Sequence, residues 1–66
     1  MKGRLKFINN IWYVFYEIIE LEQPTYLKEV QLLNQEQEGL EDGKEVNFEI
    51  TYEQSYYLTE AKAILL

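Results

Sequence analysis

The sequence predicts an all-β fold, mainly β with one short helical turn: a five-stranded small barrel of the OB-like or SH3-like kind. Three observations carry this. Two β-type runs, Gly3 to Ile8 and Ile11 to Glu17, flank Asn9-Asn10, a pair that tolerates the positive φ of a two-residue hairpin turn. Further along, Val46, Phe48, Ile50 and Tyr52 alternate with Glu45, Asn47, Glu49, Thr51 and Glu53, the period-2 pattern of a half-buried strand. Aromatic residues make up 15% of the 66 residues, and there is no cysteine or histidine. A chain this short buries little of its surface, so aromatic packing or oligomerisation has to replace the disulfide or metal that staples many small domains.

The first hairpin fixes its own register. A two-residue loop at Asn9-Asn10 sets Phe7 opposite Trp12, Leu5 opposite Val14 and Gly3 opposite Tyr16 on one face. Ile8 then faces Ile11, Lys6 faces Tyr13 and Arg4 faces Phe15 on the other. The first face reads as core and the second as mixed basic and aromatic. Gln23-Pro24 ends the second strand, since proline removes a ladder donor. Thr25 to Leu33 fits a strand through Tyr26, Val30 and Leu32, or a helix capped by Thr25; the strand is the reading adopted. One helical turn is expected over Asn34 to Glu38, with Gly39 as its cap. Glu41-Asp42-Gly43-Lys44 is a turn, the alternating strand follows, and Gln54-Ser55 turns into a closing strand over Tyr57 to Leu65. Ala61 and Ala63 point inward there, and a short helix capped by Thr59 is the alternative. Five strands with a helical turn between the third and fourth is the order of a small Greek-key barrel. The expectation is one domain, 1–66.

Charge is unevenly placed. Net charge is −6, yet Lys2, Arg4 and Lys6 stand in the first ten residues without an acid, and all twelve acids lie between Glu17 and Glu60. An acidic body repels phosphate, so a nucleic-acid contact would have to use the N-terminal hairpin. The longest apolar run, Ile11 to Tyr16, is far shorter than the ~20 residues of a membrane helix. The opening segment lacks the apolar stretch and cleavage site of a signal peptide. No membrane association and a cytoplasmic location are expected.

Two stretches, Met1-Lys2-Gly3-Arg4-Leu5-Lys6-Phe7-Ile8-Asn9 and Leu40 to Ile50, resemble a cold-shock domain, over about a third of the chain. The chain is also similar to short uncharacterised phage and bacterial OB-like barrel proteins. Those carry an N-x-W-x-V-x-Y hairpin (here Asn10 to Tyr16), a G-K-x-V-x-F-E-I strand (Gly43 to Ile50) and a closing A-K-x-I (Ala61 to Ile64). The cold-shock resemblance implies a barrel and single-strand binding, with Lys6 and Phe7 on positions that family uses for nucleic acid. The family's aromatic-glycine and aromatic-histidine strand motifs are absent from residues 11–33, so its binding function does not carry over whole. The hairpin register sets Phe7 on the core face, and a bulge would be needed to reconcile the two readings.

The candidate site is therefore Arg4, Lys6, Tyr13 and Phe15: cations for phosphates, and flat rings on which bases stack. The commoner explanation of such pairs is a solvated hairpin or a face buried in a dimer. Ile8 and Ile11 extend it as an interaction surface. Because Ile11 to Tyr16 is apolar on both faces, something is expected to cover it: Ile64-Leu65-Leu66, a second copy or a protein partner. The expected function is a non-catalytic binding or assembly module, acting through protein association or self-association of the hairpin as a homo-oligomer. Single-stranded nucleic-acid binding is the alternative. A second alternative is an acidic nucleic-acid mimic using Glu36, Glu38, Glu41, Asp42, Glu45, Glu49 and Glu53, a set that solubility alone also explains. Glu41-Asp42 offers too few ligands for calcium, and no other metal or cofactor is expected. Without His or Cys, and with Ser55 the only serine, no nucleophile–base constellation exists and no enzyme is expected.

Overall fold

The computed structural model describes residues 1–19 and 21–66. Its strands are β1 (Lys2–Ile8), β2 (Ile11–Ile18), β3 (Tyr26–Leu32), β4 (Glu45–Gln54) and β5 (Thr59–Leu65). They close into a barrel in the order β1-β2-β3-β5-β4. Neighbours are antiparallel except β3 and β5, which run parallel. This is a small five-stranded barrel of the expected OB-like or SH3-like kind.

The Asn-Asn turn forms because both residues accept the left-handed region, with φ of 52° at Asn9 and 65° at Asn10. It sets every pair from Arg4–Phe15 to Ile8–Ile11 as the loop length requires. The Gly3–Tyr16 pair is not made. The ladder with β2 stops at Arg4, and Lys2 to Arg4 pair instead with Asn47 to Glu45 of β4. Gly3 permits the crossing, because a Cβ there would lie 2.5 Å from Val14 Cγ1, 2.7 Å from the Phe15 carbonyl oxygen and 3.1 Å from the Phe48 ring.

The core consists of Leu5, Val14, Val30, Leu32, Phe48 and Ala63, with Trp12, Tyr16, Leu40, Val46, Ile50 and Leu65 packed against it. Every strand contributes alternate residues, as period-2 patterning requires. The inward row empties toward the barrel ends. Phe7 is 46% exposed and leans on Trp12 at 4.7 Å between ring centroids, so it does not enter the core. Tyr52 is 69% exposed, and Ala61, expected to point inward, is exposed too. Both have run past the layer that the Ile50–Ala63 pair closes. The closing strand starts at Thr59, two residues later than expected, because Ser55 N–H donates to the Leu58 carbonyl and makes the turn longer.

The expected helical turn over Asn34 to Glu38 is absent, and the described residues contain no helix. Polar side chains take the backbone instead. Asn34 Oδ1 accepts from Glu36 N–H at 3.1 Å. Gln35 Oε1 accepts from Trp12 N–H at 2.6 Å, and its Nε2 donates to the Trp12 and Leu32 carbonyls at 2.9 and 2.8 Å. Beyond the Tyr13–Gln31 pair, Gln35 therefore does for β2 what a strand would have done. Gly39 has a positive φ of 81°, as a tight bend rather than a helix cap. The 41–44 turn forms as read, with Lys44 N–H donating to the Glu41 carbonyl and φ of 87° at Gly43.

Two substitutions test this account. Gln35→Ala orphans the part-buried Trp12 N–H and C=O and should lower unfolding free energy by about 1–3 kcal/mol. Gly3→Ala overpacks the crossing and should cost about 1–3 kcal/mol. Urea denaturation followed by Trp12 fluorescence reads both; an unchanged midpoint in either variant contradicts the corresponding contact.

Candidate functional site

Alternation along β1 sends Leu5 into the core and therefore Lys2, Arg4, Lys6 and Ile8 to the outer surface. By the same alternation Ile11, Tyr13, Phe15 and Glu17 face outward from β2, and Leu27, Glu29 and Gln31 from β3. The residues expected to form a site thus lie on one outer face. Arg4 is opposite Phe15 and Lys6 opposite Tyr13. Tyr13 and Phe15 meet edge to face, with ring centroids 6.5 Å apart and planes at 74°.

The cations are accessible. The one ion pair among the described residues joins Lys62 to Glu60 at 3.3 Å, so no described carboxylate lies within ion-pair distance of Lys2, Arg4 or Lys6. Arg4 is partly committed, because its Nη1 donates to the Gly43 carbonyl at 3.1 Å. The 41–44 turn is further tied to β1 by Leu5 N–H to the Lys44 carbonyl at 2.9 Å, Gly43 N–H to the Leu5 carbonyl at 2.8 Å, and Phe7 N–H to Asp42 Oδ1 at 3.1 Å. Asp42 is thereby engaged as a structural acceptor. The Lys6 side chain is exposed and makes no hydrogen bond or ion pair among the described residues.

Where β1 leaves β2 for β4, the outer face opens into a groove of about 400 Å³. Lys2, Arg4, Lys6, Phe15 and Leu27 line it together with two carboxylates, Glu17 and Glu45. Lys2 and Leu27 belong to this face although the sequence did not single them out. For Lys2 the signal was present, since it shares parity with Arg4 and Lys6; Leu27 depended on which strand lies beside β2. Tyr13 is not part of this groove and borders a second one between β3 and β5.

Ile8 is 41% exposed, and Ile11, Tyr13 and Phe15 are half-buried within the single chain. Their neighbours on β1 and β3 supply that cover. The C-terminal Ile64-Leu65-Leu66 does not, because β5 pairs with β3 and β4 and never meets β2. The acidic row of β4 is exposed at Glu45, Glu49 and Glu53, with Asn47 and Thr51 between them. Carboxylates four residues apart on a strand are about 13 Å apart, coarser than the ~3.4 Å per nucleotide of a DNA strand. No group of three or more acidic residues that could hold a metal occurs among the described residues. No helix there is long and apolar enough to cross a membrane.

An exposed side chain without partners on its own chain contributes little to folding. Lys6→Gln should leave the urea midpoint unchanged, within about 0.5 kcal/mol, whereas Arg4→Gln loses the tie to Gly43 and should cost about 0.5–1.5 kcal/mol. Equal, large losses in both would make the basic row structural. Comparison with protein-family models, with curated proteins and with solved structures finds no match for this chain.

Proposed function

We propose that this barrel is a non-catalytic binding module whose ligand is single-stranded nucleic acid, held on the outer face of β1 and β2. The observation that supports it is the row Lys2, Arg4 and Lys6, free of described carboxylate partners, running beside the edge-packed Tyr13 and Phe15. Phosphates meet the cations and bases stack on exposed ring surface. Each stacked base contributes about 1–3 kcal/mol. Three phosphate contacts give a modest salt dependence, a slope of about −2 in log K against log salt. The net charge of −6 opposes approach of a polyanion, as do Glu17 and Glu45 in the lining of the groove. Binding is therefore weak and best developed at low salt. The absence of histidine and cysteine from the sequence supports the non-catalytic part of the reading.

A second reading has its own observation. Phe7 and Ile8 are exposed beside Ile11 at the turn end of the same hairpin, an apolar tip suited to a protein partner. Salt distinguishes the two, because apolar association does not weaken as salt rises.

The experiment is an anisotropy titration with a labelled oligothymidylate at low and rising salt. Binding should weaken with a slope near −2. Lys6→Gln should reduce the slope by about 0.7. Tyr13→Ala should weaken binding about 5- to 150-fold, the equivalent of one lost stacking contact. Absence of binding at tens of micromolar protein, or binding indifferent to salt and to Lys6→Gln, overturns the nucleic-acid reading.

A further inference from the structure

The barrel closes along β3 and β5 for only two residue pairs, Gln31–Lys62 and Leu32–Ala63. Toward the start of both strands they part, and a groove of about 520 Å³ opens between them, lined by Lys28 and Glu29 of β3 and Glu60 and Ala61 of β5. The residues whose backbone faces this gap follow from alternation. Leu33 N–H donates to the Ala63 carbonyl across the β3–β5 side, so odd-numbered residues of β3 turn their N–H and C=O toward β5 and even-numbered ones toward β2. Leu27 and Glu29 therefore present donors and acceptors to the gap with no partner strand among the described residues. An open strand edge of this kind is a template for another strand.

The side chains on this edge are as uncovered as its backbone. Leu27 is 66% exposed and Tyr26 48%, and Leu21, in the connection that leads into β3, is 96% exposed. We propose that the open edge of β3 is an interface with a second copy of this chain, in which the two β3 strands pair antiparallel about a two-fold axis at Leu27. Self-complementarity selects this occupant. With the axis at Leu27, Leu27 lies against its own equivalent as a hydrogen-bonded pair. Tyr26 then faces Lys28, whose aliphatic stem covers a ring, and Thr25 faces Glu29. No like charges stand opposite. Moving the axis one residue to Lys28 would oppose two ammonium groups, so the charge pattern of the edge specifies the register as well as the partner. The pairing is isologous and closed, and it blocks further growth along the edge. It also sets the two β1–β2 faces on the same side of one continuous sheet, with Leu27, which lines the groove of that face, at the junction between the copies.

Sedimentation velocity on the full chain tests this across a micromolar dilution series. Wild type should show a reversible monomer–dimer equilibrium. Leu27→Lys and Leu27→Glu each place like charges side by side at the axis while altering an exposed position, and each alone should be monomeric with unchanged thermal unfolding. An equimolar mixture of the two should regain the dimer. A wild type that stays monomeric throughout, a dimer that survives in Leu27→Lys alone, or a mixture that fails to restore it overturns the proposal.

Discussion

The structure depends on one strand being shared. β1 bonds to β2 through its second half and to β4 through its first, crossing over Val14 and Phe48 at a position where no side chain fits. Without that crossing β4 would hang from the sheet only through β5, and Phe48 would lose the wall that keeps it fully buried. Closure also removes two exposed edges at once. With six buried core residues among those described and no cysteine to staple them, that is a large share of what holds the fold together. The 41–44 turn reinforces the same place, since its backbone and the Asp42 carboxylate bond directly to β1.

The crossing also shapes the outer surface. A strand that changes partners leaves a notch on the outer face where it departs, and here the notch lies between Lys2, Arg4 and Lys6 on one side and Phe15 and Leu27 on the other. The cations are placed by alternation, because Leu5 must enter the core. The rings are placed by the hairpin register. Acidic residues occupy the outward row of β4 and flank the notch without pairing to the cations. The charge asymmetry along the chain thus becomes an asymmetry between neighbouring patches of a single barrel, and the local field at the hairpin differs from the field of the whole molecule.

At the opposite seam the closure is minimal. β3 and β5 are parallel and meet over two residue pairs before diverging, and the exposed apolar residues at the start of β3 lie beside the opening. The barrel is well closed where β1 bridges it and open where β3 should meet β5. The charged face and the unfinished sheet edge therefore meet at Leu27, which lines the groove of the one and lies on the other.

Local chemistry was enough for much of this. Asn9-Asn10 set the hairpin turn, and with it every pair from Arg4–Phe15 to Ile8–Ile11 and the joint placement of Arg4, Lys6, Tyr13 and Phe15, because turn length and a period of two leave no freedom. The alternation from Glu45 to Glu53 likewise revealed β4 and its buried side. Tertiary structure decided what periodicity does not encode: which strand lies beside which, and how deep a given layer sits. Phe7, Tyr52 and Ala61 have the parity of core residues yet lie beyond the core's ends. Asn34 to Glu38 has the composition of a helical turn, but Gln35 is drawn to the backbone of Trp12, a residue 23 positions away. Leu27 enters the candidate groove only because β3 packs beside β2. A side chain's parity is a property of its own strand, whereas its burial and its neighbours belong to strands far off in sequence, and only folding brings those together.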